Sequence, residues 1–118
     1  METDCQMNSF SERDCVPCKG GVPPLKGKDL LSFMKEISED WNLVKEHHLE
    51  REFNFPNFQE AWDYLNKVAQ MSEQQDHHPD LELSWGRVKV KIWTHKIDGL
   101  TESDFVFAAK CDDLLGLE

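Results

Sequence analysis

Residues 81–93 read LELSWGRVKVKIW. Apolar and polar positions alternate on both sides of Gly86, with Leu81, Leu83 and Trp85 before it and Val88, Val90 and Ile92 after it. A period of two sends alternate side chains to opposite faces of a strand, and a glycine between two such runs marks a turn. The stretch therefore reads as a β-hairpin with one apolar face, and that face needs a cover.

The cover stands just upstream. Over Asn57–Gln75, Phe58, Ala61, Trp62, Leu65, Val68, Ala69 and Ser72 fall on one helical stripe, while Gln59, Glu60, Asp63, Lys67 and Glu73 lie mostly off it. Pro56 closes the preceding segment, and the Asn57 side chain can accept from a free amide of the first helical turn. Before Pro56, WNLVKEHHLEREFNF (41–55) is rich in aromatic and β-favouring residues and reads as two strands joined near His47 to Glu50. A first helix over Lys26–Ile37 follows from Leu30, Phe33, Met34 and Ile37 at i, i+3, i+4, i+7. A last helix opens at GLTESDF (99–105), where Thr101 can cap and Asp104 stands at the third helical position, with Phe105, Ala108, Ala109 and Leu115 facing the core.

The expected fold class is α+β: a two-layer sandwich, a four-stranded antiparallel sheet with helices on one face, in the order α-ββ-α-ββ-α. Residues 1–25, rich in Gly, Pro and polar residues, form an irregular N-terminal arm, and 26–118 a single domain. One sheet face and an edge strand stay uncovered, and self-association is their natural cover.

Length and composition agree with one folded domain: 118 residues, 39% hydrophobic and 31% charged, with seven Phe and four Trp. The net charge of −10 argues against nucleic acid or an anionic membrane as a partner. The one cationic run, Arg87, Lys89 and Lys91, alternates along a strand and reads as a solvated sheet face. No apolar run approaches a membrane span, and METDCQMNSFSERD lacks the basic start and apolar stretch of a secretory signal, so a cytoplasmic protein is expected, with its four cysteines as thiols. CVPC (15–18) raises a zinc or redox reading. Only Cys5 lies nearby as a further ligand, and KGGVPPL follows where a redox motif would open a helix, so the segment is expected to be a partly ordered N-terminal arm. Cys111 reads as a small helix residue.

The chemistry is concentrated in QQDHHPD (74–80). Pro79 disfavours helical geometry at His78, so His77 and His78 sit where the long helix ends, and adjacent extended residues point in different directions. His95 ends the hairpin's second strand, which brings the chain back towards that junction, with Glu73 about one helical turn before His77 and Asp76 beside it. Histidine exchanges a proton near neutral pH, and nearby carboxylates favour its charged form, so acid–base chemistry is the sharp expectation. A three-histidine metal site is the alternative, although adjacent histidines reach one ion poorly and zinc pairs on helices use i, i+4 spacing. The plainer alternative is surface histidines capping a helix and filling a turn. His47 and His48, in a charged hairpin with nothing to gather them, receive that plain reading.

EQQDHHPD, then WGRVKVKIWTH, then GLTESDF resemble the pterin-4a-carbinolamine dehydratases, whose signature is Glu, three residues, His-His-Pro, an aromatic, a valine-rich strand and Thr-His. The resemblance runs from about Leu30 to Leu115. It implies dehydration of a 4a-hydroxytetrahydropterin, the by-product of aromatic amino acid hydroxylation, to the quinonoid dihydropterin, with no metal or organic cofactor. Carried over by position, His77, His78 and His95 resemble the active-site histidines, Glu73 the supporting carboxylate of His77, and Asp76, Trp93, Thr94 and Lys96 neighbours that shape the pterin pocket. Asp104 matches a further family carboxylate near the site. The family implies a homodimer or homotetramer and a link to an aromatic amino acid hydroxylase. Leu81, Trp85, Trp93 and Ile97 depart from the animal pattern, which bears on the exact pterin, and CVPCKGGVPPL is similar to the arm of some non-animal members. Animal members also serve as dimerisation cofactors of a homeodomain transcription factor, a role no residue here supports. The alternative function is a pterin- or protein-binding module of the same fold without catalysis.

Overall fold

A computed structural model of the chain describes residues 10–13, 15 and 23–115. The elements are a 3-10 turn Phe10–Glu12, α1 (Lys28–Met34), β1 (Asn42–Val44), β2 (His48–Asn54), α2 (Phe58–Gln75), β3 (Asp80–Ser84), β4 (Arg87–Ile92), a 3-10 turn His95–Ile97 and α3 (Glu102–Leu115). From residue 28 onwards this is the expected α-ββ-α-ββ-α order. The strands form one antiparallel sheet in the order β1-β2-β4-β3, so both hairpins are joined through β2 and β4.

The period-two pattern of β4 is realised without exception. Val88, Val90 and Ile92 are fully buried against the helices, while Arg87, Lys89 and Lys91 lie on the open face. Register places Glu50 and Asp80 on either side of Lys91, and Glu52 and Glu82 on either side of Lys89. Each cation is thus flanked by two carboxylates, which is why this run makes no basic patch. The β3–β4 loop is Trp85–Gly86 alone, since Ser84 pairs with Arg87. A Cβ on Gly86 would meet the Phe55 carbonyl oxygen at 2.7 Å, the oxygen side of a close approach in which the Phe55 amide also donates to Gly86 O. Trp85, expected on the inward face with Leu81 and Leu83, instead occupies that loop and is 68% exposed.

On α2 the expected stripe is rotated. Ala61, Val68 and Ser72 are buried as read, but Tyr64 and Met71 join them, while Phe58 and Trp62 are exposed. The reason is Tyr64: its ring packs on Phe53 and Phe55 of the neighbouring strand and its hydroxyl donates to the Cys111 carbonyl at 2.7 Å. That interaction turns the helix towards its polar-tipped residue. The Asn57 cap forms as read, accepting from the Glu60 amide at 2.9 Å. α3 was expected to bury one face, yet Ser103 to Ala109 are buried continuously. Over Ser103–Ala109 it is covered by the sheet and α2, and by α1 with the Phe10–Glu12 turn, while Glu102 and Asp113 stay exposed.

α1 ends at Met34, earlier than read, and the chain to Ile37 continues through i→i+3 bonds that still bury Ile37. The β1–β2 turn also differs, centring on Lys45 and Glu46 instead of His47 to Glu50. Both have φ of 53°, and the His47 amide donates to Val44 O at 2.8 Å. Two consecutive left-handed residues make a primed turn, which favours Asn-Gly. Lys-Glu carries no such signal and is strained there, by about 1 kcal/mol or more per residue. The double substitution Lys45→Asn/Glu46→Gly is expected to raise stability by about 1 kcal/mol, seen as a higher urea midpoint at unchanged m-value; an unchanged or lower midpoint contradicts the turn assignment.

Candidate active site

The site is built where α2 stops. Asp76, with φ 52° and ψ 42°, ends the helix in the left-handed conformation, its amide bonding back to Glu73 O and the His77 amide to Ser72 O at 3.2 Å. This is a Schellman closure with Asp in the place that glycine usually fills. It reverses the chain so that His77 leaves the helix axis and points at the start of α3. There His77 Nε2 lies 2.6 Å from Asp104 Oδ1.

Asp104 is completely buried. Its other oxygen accepts from Thr94 Oγ1 at 2.9 Å and from the Thr101 amide at 2.8 Å. The second bond is the reach-back half of a capping box, so the carboxylate that caps α3 also holds His77. The Thr101 hydroxyl lies 3.1 Å from Thr94 Oγ1, which has already committed its proton to Asp104, so Thr101 donates. Thr94 and the Thr101 amide both donate to one oxygen of Asp104, and in the tautomer that donates Nε2–H to the other oxygen, His77 keeps Nδ1 as the nitrogen open to exchange. The Phe107 ring meets His77 edge-on at 5.9 Å and limits its rotation.

Thr94 and Gly99 pair through both backbone bonds and close the 3-10 turn that carries His95 and Lys96, both exposed. A Cβ at Gly99 would lie 2.6 Å from Pro24 Cβ, so this turn needs glycine at its return. Alternation puts Thr94 inward to Asp104 and Trp93 on the open sheet face, where its ring packs on His95 at 4.4 Å.

Glu73, expected to support His77, supports His78: Nε2 to Oε1 is 3.0 Å, with both side chains largely exposed. Residues 73 and 77 would be neighbours only if the helix continued. The Asp76 reversal carries His77 away and lays His78 over Glu73 instead. His47 and His48, read as plain surface residues, pack on Trp93 with ring centroids 5.2 and 5.8 Å away, and His47 Nε2 lies 2.7 Å from Asp98. The β2–β4 register, which sets Leu49 opposite Ile92 and so His48 beside Trp93, is the signal that finds them. Among the described residues, no group of three or more His, Cys, Asp or Glu side chains is arranged to hold a metal ion. Among them, too, no helix is long and apolar enough to cross a membrane. Of the cysteine motif, Cys18 and the more distant Cys5 lie outside the described residues.

The chain is an α+β sandwich with an imidazole held by a buried carboxylate where a helix ends. Residues 23–114 match the family model described as pterin 4 alpha carbinolamine dehydratase, and the chain belongs to that family. A protein of Rubrobacter xylanophilus named as a pterin-4-alpha-carbinolamine dehydratase is 56% identical over 92% of this chain and 100% of its own. One of Alkaliphilus metalliredigens with the same name is 52% identical over 90% of this chain and 96% of its own. The crystal structure of a transcriptional coactivator/pterin dehydratase from Brucella melitensis aligns with a TM-score of 0.71 at 26% identity, over 77% of this chain and 97% of that one. A pterin dehydratase-like protein identified as a RuBisCO assembly factor aligns at 0.57 and 24% identity, over 66% of this chain and 92% of that one, a likeness of fold alone.

Removing the Asp104 carboxylate leaves one imidazole, one hydroxyl and one amide without an acceptor. Asp104→Ala is expected to lower unfolding free energy by about 3–5 kcal/mol, read by urea denaturation; a loss under about 1 kcal/mol contradicts the three-donor geometry. His48 supplies a pH test. Burial, then the nearby His47, push it below the ordinary value of 6.5. The fold thus favours neutral His48, so its contribution is complete above pH 6.5 and is lost as pH falls through the lowered value. His48→Gln should flatten the decline in urea midpoint on acidification from pH 6.5 down to that lowered value, and an unchanged decline assigns it to other groups.

Proposed function

We propose that this chain dehydrates a 4a-hydroxytetrahydropterin to the quinonoid dihydropterin by histidine acid–base catalysis, in tetrahydropterin recycling. The observation that carries the reading is the 2.6 Å bond from His77 to the buried Asp104, in a chain that belongs to the carbinolamine dehydratase family. Expelling the 4a-hydroxyl as water needs a proton on the leaving oxygen. A second proton leaves the pterin ring nitrogen, whose electron pair forms the new carbon–nitrogen double bond. In this reading His77 and His95 are the proton-transfer pair, and Asp104 takes the orienting role for His77 that the sequence had assigned to Glu73. His78, beside Glu73, binds and orients the ring, and Asp76, Trp93, Thr94 and Lys96 shape the pocket. The tautomer argument supports it: with Nε2–H given to Asp104, His77 meets substrate through Nδ1.

The same reading includes a homodimer or homotetramer in the cytoplasm, serving an aromatic amino acid hydroxylase. Exposed Phe58, Trp62 and Trp85 offer apolar surface for the association.

Single alanine variants test the assignment, with product formation followed by absorbance. His77→Ala and His95→Ala should each lower kcat by about a hundredfold or more, while His78→Ala should act mainly on KM. Wild-type rates in both the His77 and His95 variants would end the proposal, and pterin binding without turnover in the unaltered protein would make it a binding module.

A further inference from the structure

The N-terminal arm reaches the site. Cys15, 9% exposed, donates its amide proton to Gln75 Oε1 at 2.7 Å and its thiol proton to the Ser103 carbonyl at 3.5 Å. Gln75 is the last residue of α2, two before His77, and Ser103 immediately precedes Asp104. One residue therefore bonds both helix ends whose tips make the His77–Asp104 pair.

The segment that carries Cys15 is itself anchored. Phe10 is 4% exposed and its ring packs at 5.5 Å on Phe33, which packs at 5.3 Å on Phe105 of α3. The Arg13 guanidinium lies over the Phe10 ring at 4.7 Å and donates to Glu102 at 3.0 Å, again in the first turn of α3. Packing alone would require only Phe10. The polar contacts of Arg13 and Cys15 fall instead on the two helix ends of the site: Glu102 and Ser103 in the first turn of α3, and Gln75 at the end of α2.

The constraint matters because nothing covalent short of the whole β3–β4 hairpin joins residue 77 to residue 104. A hydrogen bond of 2.6 Å loses strength within a few tenths of an ångström of separation. Two helix ends that shear by that much would leave His77 free to rotate.

We infer that the arm is a brace of the active site, in which Cys15 and Gln75 are positioning residues that hold the ends of α2 and α3 at the spacing the His77–Asp104 bond requires. The matched family region begins at residue 23, so Phe10, Arg13 and Cys15 lie outside it. The inference deepens the dehydratase reading and, for its kinetic consequence, rests on it.

The test uses the full chain with Gln75→Ala, Cys15→Ala and Gln75→Glu, the last keeping an acceptor for the Cys15 amide. Two readouts are taken: steady-state dehydration, and the proton NMR resonance of His77 Nε2–H, which needs no substrate. Gln75→Ala and Cys15→Ala are expected to lower kcat about threefold to tenfold at nearly unchanged KM, and to broaden or shift the Nε2–H resonance. Gln75→Glu should restore both. If the resonance and kcat stay at wild-type values in both alanine variants, the brace is overturned. A displaced resonance in a protein without dehydratase activity upholds the brace and overturns the functional reading, whereas an unmoved resonance overturns the brace whatever the activity. Should Cys15→Ala fold poorly, Gln75→Ala, at a partly exposed helix end, decides alone.

Discussion

One buried carboxylate organises this molecule. Asp104 has no exposed surface, and each of its three partners comes from a different part of the chain: His77 after α2, Thr94 after β4 and Thr101 at the mouth of α3. A buried carboxyl group in that position is tolerated only while its hydrogen-bond partners are in place. The requirement couples the end of a helix, the end of a central strand and a helix cap into one unit.

The sandwich supplies what that unit needs. β4 is one of the two central strands and its inward residues are fully buried, so Thr94 follows directly from the buried middle of the sheet. α3 is covered over Ser103–Ala109, which fixes Asp104 from the other direction. At its far end, Asp112 accepts from Trp41 Nε1 at 2.8 Å and from Arg51 at 2.6 Å, tying the helix to β2. Burial pushes the Asp112 carboxyl above the ordinary aspartate value, against the pull of those donors. α3 is therefore pinned by a carboxylate at each end, one towards the site and one towards the sheet.

The open face of the sheet carries a separate cluster of rings. His47, His48, Trp93 and His95 form a run of tilted and edge-on rings whose centroids lie 4.4 to 5.8 Å apart. Trp93 and Thr94 are consecutive, yet one joins the rings and the other the carboxylate. Strand alternation is what allows two chemically different environments to meet at a single peptide bond.

Much of this was legible in the chain itself. Alternation in LELSWGRVKVKIW, the stripe of α2, the Asn57 cap and the Thr101–Asp104 spacing each follow from interactions within a few residues, and local geometry sets them before any tertiary contact forms. His77, His78 and His95 stood out because proline ended a helix beside them and a hairpin returned towards them. What remained hidden depended on partners far apart in sequence. The rotation of α2 came from Tyr64 finding Cys111, and the β1–β2 turn sat at Lys45–Glu46, whose residue types carry no turn signal. Glu73 gave way to Asp104 as the partner of His77, because a single left-handed residue redirects a side chain that helical spacing had assigned. Local pattern determines which elements form and which faces are apolar. Only packing decides which distant donor meets which acceptor, since that choice minimises the unsatisfied polar groups of the whole assembled core.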